Sequence, residues 1–458
     1  MSEPRRVVIV GGGISGLSAA YYLAKLGVHS TIVERRPRLG GVIETETAHG
    51  CVLEAGPDSF LAIKPAAMDL IRELGLAGDA ISSNDHLRVT YVRKGGRLVP
   101  LPDGLMLMIP TKIWPMLASP LVGWGSKLRM AAEWFRKPAG HAAADRSVSD
   151  FVGEHYGREA VEYLAEPLLA GVYGGDPAKL SVASVLPRFV ELEARYGSLT
   201  KGVLRERRKA AQAAKSQPLF QTLKHGLGQM VSAMTAAMDP QPEVLHGEAE
   251  TLERSAAGYR LRIGSEWLQA ERIVLACPAY EAGALAGTLD AKLGALLGAI
   301  PYSHSITISL GYAKAGFHPL NGFGFLVPKR ERRSLVACTW VGTKFSHRVA
   351  PELAVLRCFA GSEDAAILDQ SDETLIAAVR EELRDIMGVT QTPLFTRIAR
   401  WPRSMAQYTV GHAARIAEIE TRAAALTGLH LAGNAYSGIG IPDCIRMGKA
   451  AAEKIGRG

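Results

Sequence analysis

The beginning of the chain alternates short apolar runs with one longer stretch of helical spacing. Val7 to Val10 is apolar without interruption, too short for a helix, and three glycines follow it. Residues 14–26 place apolar side chains at helical spacing, and Gly27 suits the position that ends a helix. Ser30 to Val33 is a second apolar run. The pattern therefore predicts a strand, a helix and a strand, the building block of a parallel sheet.

Later segments predict a mixture of strands and helices. Residues 243–276 alternate apolar and polar positions in the manner of several antiparallel strands. The other predicted elements are strands at 305–311, 335–341 and 429–432, helices at 372–387 and 443–455, and a turn that begins at Gly433. Residues 201–217 are strongly basic and predict either a solvated helix or a mobile loop. The sequence shows no internal repeat and no low-complexity tract.

Residues 104–126 are almost free of charge. Lys112 is the one charged residue, and the stretch from Ile113 to Ser126 has none, with Pro115 and Pro120 inside it. Such a segment is too short and too broken to span a bilayer. It fits either a buried core segment or an interfacial patch that dips into a membrane, since its tryptophans and methionines are flanked by basic residues.

Composition limits the class of protein. A chain of 458 residues with 47% hydrophobic residues suits a globular α/β protein of two or three domains. Its five scattered cysteines argue against a disulfide framework or a zinc site and for a reducing compartment. The N-terminal residues MSEPRR run directly into a strand and leave no room for a signal peptide, so we expect a cytoplasmic protein. The net charge of +8 fits either a basic surface alone or attraction to an anionic substrate or membrane.

The glycines after the first strand form the first chemical motif. They fit GxGxxG, and the residues of the motif are Gly11, Gly13, Ile14, Ser15 and Gly16. Glycine is needed for the tight turn, for the approach of a diphosphate and for close packing of the helix, whose first N–H groups then face the phosphates. Glu34 closes the second strand, where a carboxylate accepts hydrogen bonds from ribose hydroxyls and repels a 2′-phosphate. In this context the motif predicts dinucleotide binding rather than a merely tight turn.

Two further segments separate FAD from NAD. The residues after Glu34 include Arg38, Gly40 and Gly41, which resemble the RxGG element of an FAD family that includes amine oxidases, phytoene desaturases and porphyrinogen oxidases. The string LHLAGNAYSGIGIPDCIRMG near the C-terminus resembles the closing element of the same family. The resemblance implies that Arg38 meets a phosphate and that the second helix points its N-terminus at the flavin. It also implies that the Gly433-Asn434 turn lies near the phosphates and the ribityl chain, and that backbone amides around Ile439 to Ile441 lie near the isoalloxazine ring. The cofactor residues of this segment are then Gly433, Asn434, Gly438, Ile439, Gly440 and Ile441. A helix dipole there would stabilise the negative charge of reduced flavin.

Several longer strings resemble bacterial oxygen-dependent porphyrinogen oxidases more specifically. They are Gly56-Pro57-Asp58-Ser59-Phe60, Pro110 to Ile113, Glu166 to Tyr173, Lys179 to Ser181, Trp401-Pro402, Gln407-Tyr408, Gly411-His412 and Gly440 to Cys444. The resemblance runs from end to end of the chain. It implies that Gly56, Pro57, Asp58 and Ser59 belong to the cofactor site and that Trp401 and Tyr408 wall the flavin. The alternative for these two aromatic residues is a place in the core.

The resemblance implies an enzyme of haem biosynthesis that oxidises a porphyrinogen to the porphyrin. Six electrons leave in three rounds, each a hydride from a meso carbon to the flavin and an N–H proton to solvent, and oxygen then reoxidises the flavin to yield hydrogen peroxide. We therefore expect flavin-centred chemistry with no catalytic side chain and no metal.

The same resemblance implies two substrate-binding residues. Lys64 would meet a substrate carboxylate, and the carbonyl of Gly171 would face the pyrrole N–H groups. The alternatives are an exposed lysine and a plain turn. Lys64, with the bacterial-looking strings GPDSF and PTKI, favours coproporphyrinogen III, which carries four carboxylates, over protoporphyrinogen IX, which carries two.

Other functions stay open at this point. Another FAD oxidase or desaturase of the same fold would act on an amine or a carotenoid, and a non-catalytic member of the fold would bind lipidated partners. An NAD-linked dehydrogenase is disfavoured by the C-terminal element. The expected partners are the porphyrinogen, oxygen and the next enzyme of the haem pathway, and no nucleic acid is expected. We also expect a peripheral contact with the inner face of the cell membrane.

We expect an α/β fold in which a Rossmann-like FAD-binding domain is joined to a mixed-sheet substrate domain and a helical insertion. The predicted FAD-binding domain comprises 1–58, 219–280 and 396–458. The helical, membrane-facing insertion spans 59–175, and the substrate-binding domain comprises 176–218 and 281–395.

Overall fold

The computed structural model of the protein describes residues 6–138, 144–210, 218–362 and 364–457. Its strands, in chain order, are β1 (Val7–Val10), β2 (Ser30–Glu34), β3 (Thr45–Ala48), β4 (Cys51–Glu54), β5 (Phe60–Leu61), β6 (Ala80–Ser82), β7 (Thr90–Lys94), β8 (Arg97–Pro100), β9 (Leu105–Met106), β10 (Ile109–Pro110), β11 (Phe220–Leu223), β12 (Glu243–His246), β13 (Ala249–Ser255), β14 (Gly258–Ile263), β15 (Glu266–Ala270), β16 (Arg272–Leu275), β17 (Tyr302–Ala313), β18 (Gly324–Leu326), β19 (Leu335–Trp340), β20 (Leu353–Ser362), β21 (Phe395–Ala406) and β22 (Leu429–Leu431).

The helices are, in the same order, α1 (Ile14–Lys25), α2 (Pro65–Glu73), α3 (Ile113–Ala118), α4 (Trp124–Glu133), α5 (Val148–Tyr156), α6 (Arg158–Ala160), α7 (Glu166–Tyr173), α8 (Val182–Val185), α9 (Pro187–Tyr196), α10 (Leu199–Ala210), α11 (Gly228–Ala236), α12 (Ala279–Ala286), α13 (Ala291–Gly298), α14 (Val341–Lys344), α15 (Asp372–Met387), α16 (His412–Ala425) and α17 (Ile441–Arg457). A π-helical turn at Val161–Ala165 connects α6 to α7. In the described parts of the chain, no helix combines the length and the apolar character needed to cross a bilayer.

The first of two compact units contains a five-stranded parallel sheet. The unit comprises Met1–Ser83, Pro218–Pro301 and Ala414–Gly458. Its sheet has the order β12-β2-β1-β16-β22, and every neighbouring pair is parallel. Strand β1 is buried along its whole length, as its apolar run predicts. The predicted strand–helix–strand unit is confirmed, and Gly27 follows α1 in a left-handed conformation with φ +70°.

The prediction of antiparallel strands over 243–276 is correct only in part. Strands β13, β14 and β15 form an antiparallel sheet, whereas β12 and β16 belong to the parallel sheet of the first unit. Strand β16 lies between β1 and β22, and residues Ile273 to Leu275 are all buried. A strand that is covered on both faces has a continuous apolar run. Within a segment of alternating strands, the sequence pattern alone does not show that such a strand belongs to a different sheet.

The second compact unit is built around a mixed sheet. It comprises Asn84–Gln217 and Tyr302–Ala413. The seven strands have the order β21-β17-β20-β19-β18-β7-β8, with β18 and β7 parallel and the other neighbours antiparallel. Helix α15, which the sequence predicts at the same bounds, contributes Leu375, Val379 and Leu383 to the core that covers this sheet.

Two features of the predicted domain division differ from the structure. Residues 59–83 and 281–301 lie in the first unit, and residues 396–413 lie in the second. The predicted helical insertion also contains strands, because β7 pairs with β18 and β8 pairs with β7 in the mixed sheet. The division into three parts otherwise stays a prediction. Residues 201–210 of the basic stretch are helical in α10, while 211–217 and the first five residues of the chain lie outside the described residues.

Candidate functional site

The turn between β1 and α1 can be made only by glycine. Gly11 has φ +105°, and its N–H donates a hydrogen bond of 2.8 Å to the carbonyl of Val33. A Cβ on Gly16 would lie 1.9 Å from the carbonyl oxygen of Gly11, and a Cβ on Gly11 would lie 2.8 Å from that of Ala276. The first turn of α1 is therefore pressed against the end of β1, as the predicted diphosphate turn requires.

Glu34 is fixed beside this turn by two backbone groups. Its Oε2 accepts a hydrogen bond of 2.7 Å from Gly12 N, and its Oε1 accepts one of 2.9 Å from Arg36 N. The carboxylate is buried at the end of β2. Because two carboxylate oxygens offer about four acceptor positions, these bonds leave capacity for two ribose hydroxyls.

The loop after Glu34 folds back onto the glycine turn. Gly40 N donates to the carbonyl of Gly12 at 2.8 Å, and a Cβ on Gly41 would lie 3.0 Å from the Cα of Gly13. Glycine at both positions lets two backbone segments run in contact, so the walls of a narrow groove can be backbone alone. A Cβ added to Gly13 would have one neighbour within 4 Å, the Cα of Gly41 at 3.9 Å, among the described residues.

The sequence predicts that Arg38 contacts a phosphate, but in the structure its guanidinium contacts groups of the protein. Its Nη2 donates to the carbonyl of Gly41 at 2.8 Å and to Glu44 at 2.5 Å, and its Nη1 donates to the carbonyl of Ile43 at 3.1 Å. The guanidinium therefore clamps its own loop. A phosphate contact stays a prediction and would have to share these donors.

The GPDSF string begins at another close backbone approach. A Cβ on Gly56 would lie 1.8 Å from the carbonyl oxygen of Val42, in the same loop as Gly40 and Gly41. Pro57 follows, and Ser59 Oγ then donates a hydrogen bond of 2.6 Å to Asp58 Oδ1. These residues and the Arg38 loop thus lie together in the first unit.

The N-termini of helices α1 and α17 point in the same direction. A Cβ on Gly448 would lie 2.3 Å from the carbonyl of Ser15, and one on Gly456 would lie 2.6 Å from Leu26 Cδ1, so the two helices run parallel in direct contact. The positive ends of two helix dipoles consequently face the same side. That arrangement suits an anionic dinucleotide, since helix N-termini bind phosphates and stabilise negative charge.

The segment that precedes α17 is organised around a carboxylate that the sequence analysis left without a role. Gly438 has φ +118°, and a Cβ there would lie 2.3 Å from Asp443 Cγ. Gly440 N donates to Asp443 Oδ2 at 3.3 Å, immediately before α17 begins at Ile441. The signal in the sequence is an acidic residue in the first turn of the final helix. The remaining predicted residues of this segment, Gly433, Asn434 and Ile439, lie between β22 and α17.

Lys64 contacts the same carboxylate. Its Nζ lies 2.6 Å from Asp443 Oδ2, and the lysine side chain is 45% exposed while that of Asp443 is 9% exposed. Lys64 is therefore not a lysine that points freely into solvent. Its ammonium group is held at the start of α17, the segment predicted to approach the flavin.

The other two predicted residues lie in the second unit. Gly171 is inside helix α7, so the alternative role of a plain turn is wrong, and it is exposed near the C-terminal end of that helix. Trp401 is buried in strand β21. The cluster of cofactor residues in the first unit does not include either of them, and their roles remain predictions.

Comparison with known proteins shows which family the chain resembles. The family of flavin-containing amine oxidoreductases matches residues 14–456 of the chain. The chain is 35% identical to coproporphyrinogen III oxidase of Bacillus subtilis over 98% of both proteins, and 29% identical to coproporphyrinogen III oxidase of Staphylococcus aureus over 98% of this chain and 99% of that protein. The crystal structure of a protein assigned as a protoporphyrinogen oxidase from Exiguobacterium sp. 255-15 superposes with a TM-score of 0.89 at 30% identity, covering 99% of each chain.

Proposed function

The chain belongs to the family of flavin-containing amine oxidoreductases, whose cofactor here is FAD, and we propose that it oxidises coproporphyrinogen III to coproporphyrin III in haem biosynthesis. The observation that carries the proposal is the end-to-end identity of 35% with a coproporphyrinogen III oxidase. Protoporphyrinogen IX is the alternative substrate of the same reaction.

The first unit supplies a site that fits FAD. Glu34 would accept hydrogen bonds from the adenosine ribose, and the glycine turn would hold the diphosphate at the N-terminus of α1. The residues proposed to contact the cofactor are Gly11, Gly13, Ile14, Ser15, Gly16, Glu34, Arg38, Gly40, Gly41, Gly56, Pro57, Asp58, Ser59, Trp401, Gly433, Asn434, Gly438, Ile439, Gly440 and Ile441. When bound, FAD supplies the chemistry by accepting a hydride, and oxygen is the proposed final acceptor, with hydrogen peroxide as the product.

The chain itself binds and orients the substrate. In each round a meso carbon loses a hydride and a pyrrole nitrogen loses a proton to solvent. Because the porphyrin has four C–H bonds and two N–H bonds fewer than the porphyrinogen, one proton must also shift from a meso carbon to a nitrogen in the course of the three rounds. Lys64 would bind a propionate by a single charged contact, looser than the fork of an arginine. The carbonyl of Gly171 would accept a hydrogen bond from a pyrrole N–H. With these roles filled by cofactor, backbone and cation, the reaction needs no further catalytic side chain.

We further propose a peripheral membrane contact through an apolar ridge on α3, α4 and the residues that follow α4. The ridge consists of Ile113, Trp114, Trp124, Leu128 and Phe135, whose exposure ranges from 69% to 81%. Other residues of 104–126, including Met108, Ile109, Met116 and Leu121, are buried. The segment thus has a buried part, and its exposed apolar side chains support the proposed membrane contact.

Basic groups lie at this ridge and beside residues that adjoin it in sequence. Lys127 Nζ lies 4.8 Å from the centre of the Trp124 ring, and Lys201 Nζ lies 5.4 Å from that of Trp134. Arg207 on α10 donates a hydrogen bond of 2.7 Å to Thr111, next to α3. Aromatic residues with flanking cations suit the headgroup region of an anionic bilayer. A cytoplasmic location at the inner face of the cell membrane, and transfer of the product to the next enzyme of the pathway, complete the proposal.

The test of the proposed function is an aerobic fluorescence assay on the purified, FAD-loaded protein. Coproporphyrinogen III and protoporphyrinogen IX are offered in parallel, with a control that lacks enzyme. Porphyrin emission accompanied by peroxide is the expected result, with the larger kcat/KM for coproporphyrinogen III. Protein that retains FAD but accelerates neither oxidation would overturn the function.

A further inference from the structure

Helix α7 is fixed at both of its ends by buried polar contacts within the second unit. At the first end, the Glu166 carboxylate accepts a hydrogen bond of 2.7 Å from Arg332 Nη2 and one of 2.9 Å from Lys329 N. Arg332 also donates to the carbonyl of Val327 at 3.0 Å. The pair is well shielded, with side-chain exposures of 20% for Arg332 and 9% for Glu166. Charge-assisted bonds in such surroundings define a position more strictly than exposed pairs do.

The second end of α7 is held by Gln407. This amide is 4% exposed, and its Nε2 donates to the carbonyl of Tyr173 at 2.7 Å and lies 3.0 Å from Ser303 Oγ. A Cβ on Gly175 would lie 1.9 Å from Gln407 Oε1, so glycine there makes room for the amide. Gln407 thereby connects the end of α7 to strands β17 and β21.

The carbonyl of Gly171 lies between these two attachments. The last four carbonyls of an α-helix have no partner within the helix. In α7 the Ala170 carbonyl accepts from Gly174 N at 2.9 Å, and the Tyr173 carbonyl accepts from Gln407. Within the described parts of the chain, no group donates a hydrogen bond to the Gly171 carbonyl, and Gly171 is exposed. The negative end of the helix dipole thus coincides with an acceptor that a pyrrole N–H can use.

How much the Gly171 carbonyl can accelerate the reaction depends on where it lies relative to the substrate. A porphyrinogen that loses a hydride becomes positively charged, and its N–H groups then donate more strongly. A carbonyl already in place stabilises the transition state more than the ground state, which raises kcat rather than binding alone. An error of about 1 Å in such a group can cost on the order of a hundredfold in rate.

We propose that Arg332 and Gln407 are positioning residues, which act through Glu166 and Tyr173 to hold the Gly171 carbonyl against the pyrrole nitrogens of the substrate. The assignment rests on the proposed function. It adds two residues that touch neither substrate nor flavin, and it explains why both ends of a short helix are tied by buried groups. The π-helical turn that precedes Glu166 fits this assignment, since such turns are frequent near functional sites.

The test compares Arg332→Gln with Arg330→Gln in the FAD-loaded protein. Arg330 is the matched control because it lies in the same loop and pairs with Glu162 at 2.7 Å, but its side chain is 57% exposed. For Arg332→Gln we expect kcat per bound flavin to fall about tenfold with little change in KM, and the deuterium isotope effect of a meso-deuterated porphyrinogen to rise. Arg330→Gln should match the wild type in all three.

A second variant covers the case in which Arg332→Gln does not fold. Gln407→Asn is one methylene shorter and loses the bond to the Tyr173 carbonyl, so it should also lower kcat and speed amide exchange in Val172 to Gly175. Equal kinetics for Arg332→Gln and Arg330→Gln, or lower thermal stability with unchanged kcat per bound flavin, would overturn the positioning role alone. Wild-type holoenzyme inactive on both porphyrinogens would instead overturn the proposed function.

Discussion

The ammonium group of Lys64 lies 2.6 Å from the carboxylate of Asp443, although 379 positions separate the two residues. The contact places a cation at the first turn of α17, next to the backbone that is proposed to approach the flavin. Asp443 is nearly buried and Lys64 is about half exposed, so the lysine can still reach an anion from solvent.

Replacing Lys64 by methionine keeps an unbranched side chain only one atom shorter and removes its charge. We expect KM for coproporphyrinogen III to rise about tenfold, in line with a charge-assisted contact of roughly 1.5 kcal/mol, while kcat changes little. The measurement is steady-state fluorescence of the product. Lys25→Met is the control, because Lys25 forms a comparable ion pair with Glu73 in the same unit. Equal KM values for the two variants would remove Lys64 from the substrate site.

Gly56→Ala tests the backbone packing of the cofactor groove. The new Cβ would meet the Val42 carbonyl at 1.8 Å, so the loop that carries Gly40 and Gly41 must shift. We expect the dissociation constant of FAD to rise by about five- to a hundredfold, as an overpacking cost of about 1–3 kcal/mol implies if it falls on the FAD-bound groove. Titration calorimetry with the deflavinated protein measures it. Gly78→Ala, which meets nothing within 4 Å, should bind FAD as the wild type does; a similar loss in both variants would contradict the assignment.

The double variant Trp114→Ala, Phe135→Ala tests the apolar ridge. Each side chain would transfer roughly 1.5–3 kcal/mol of apolar surface if it inserted fully, so flotation with anionic liposomes at low salt should fall at least tenfold. Trp267→Ala in strand β15 removes another partly exposed tryptophan and should leave flotation unchanged. If the wild-type protein does not float with anionic vesicles, the proposed membrane contact is wrong.

His430 makes the first unit sensitive to acid. Burial, with Lys454 and Arg272 nearby, lowers the pKa of this histidine to about 4. In the unfolded chain the pKa of this histidine is about 6.5, so between pH 6.5 and pH 4 the unfolded state binds a proton that the folded state does not. The contribution of His430 to stability is therefore fully present above pH 6.5 and is lost as the pH falls toward 4. In His430→Gln the free energy of unfolding should fall less between pH 7 and pH 5, by on the order of 1 kcal/mol. Urea unfolding at both pH values measures it, and parallel losses would contradict the assignment.

The parts of the site that the sequence predicted are those that follow from local rules. Gly11 and Gly16 must be glycine because of contacts within the same turn, and Glu34 comes at the end of the next strand. The partners of Arg38 were not predictable in this way. The motif suggests a phosphate, but the guanidinium donates to four groups of its own loop, and this choice of partners depends on how residues 38–44 fold back.

The second unit shows the same division. Helix α15 was predictable because its apolar spacing and its preceding Ser371 cap are local. Strands β7 and β8 were not, since their place in the mixed sheet depends on pairing with β18, more than two hundred residues later. Gln407 and Arg332 likewise acquire a role only when β21 and the loop after β18 are packed against α7.

By itself, the sequence determined the nucleotide-binding turn, the order of strands and helices around it and the resemblance to a flavin family, because backbone conformation and apolar periodicity act over a few residues. Only the tertiary structure decided which charged and polar side chains meet. Lys64 and Asp443, or Gln407 and Tyr173, come together through the burial of distant apolar surfaces, and no rule of local spacing encodes that pairing.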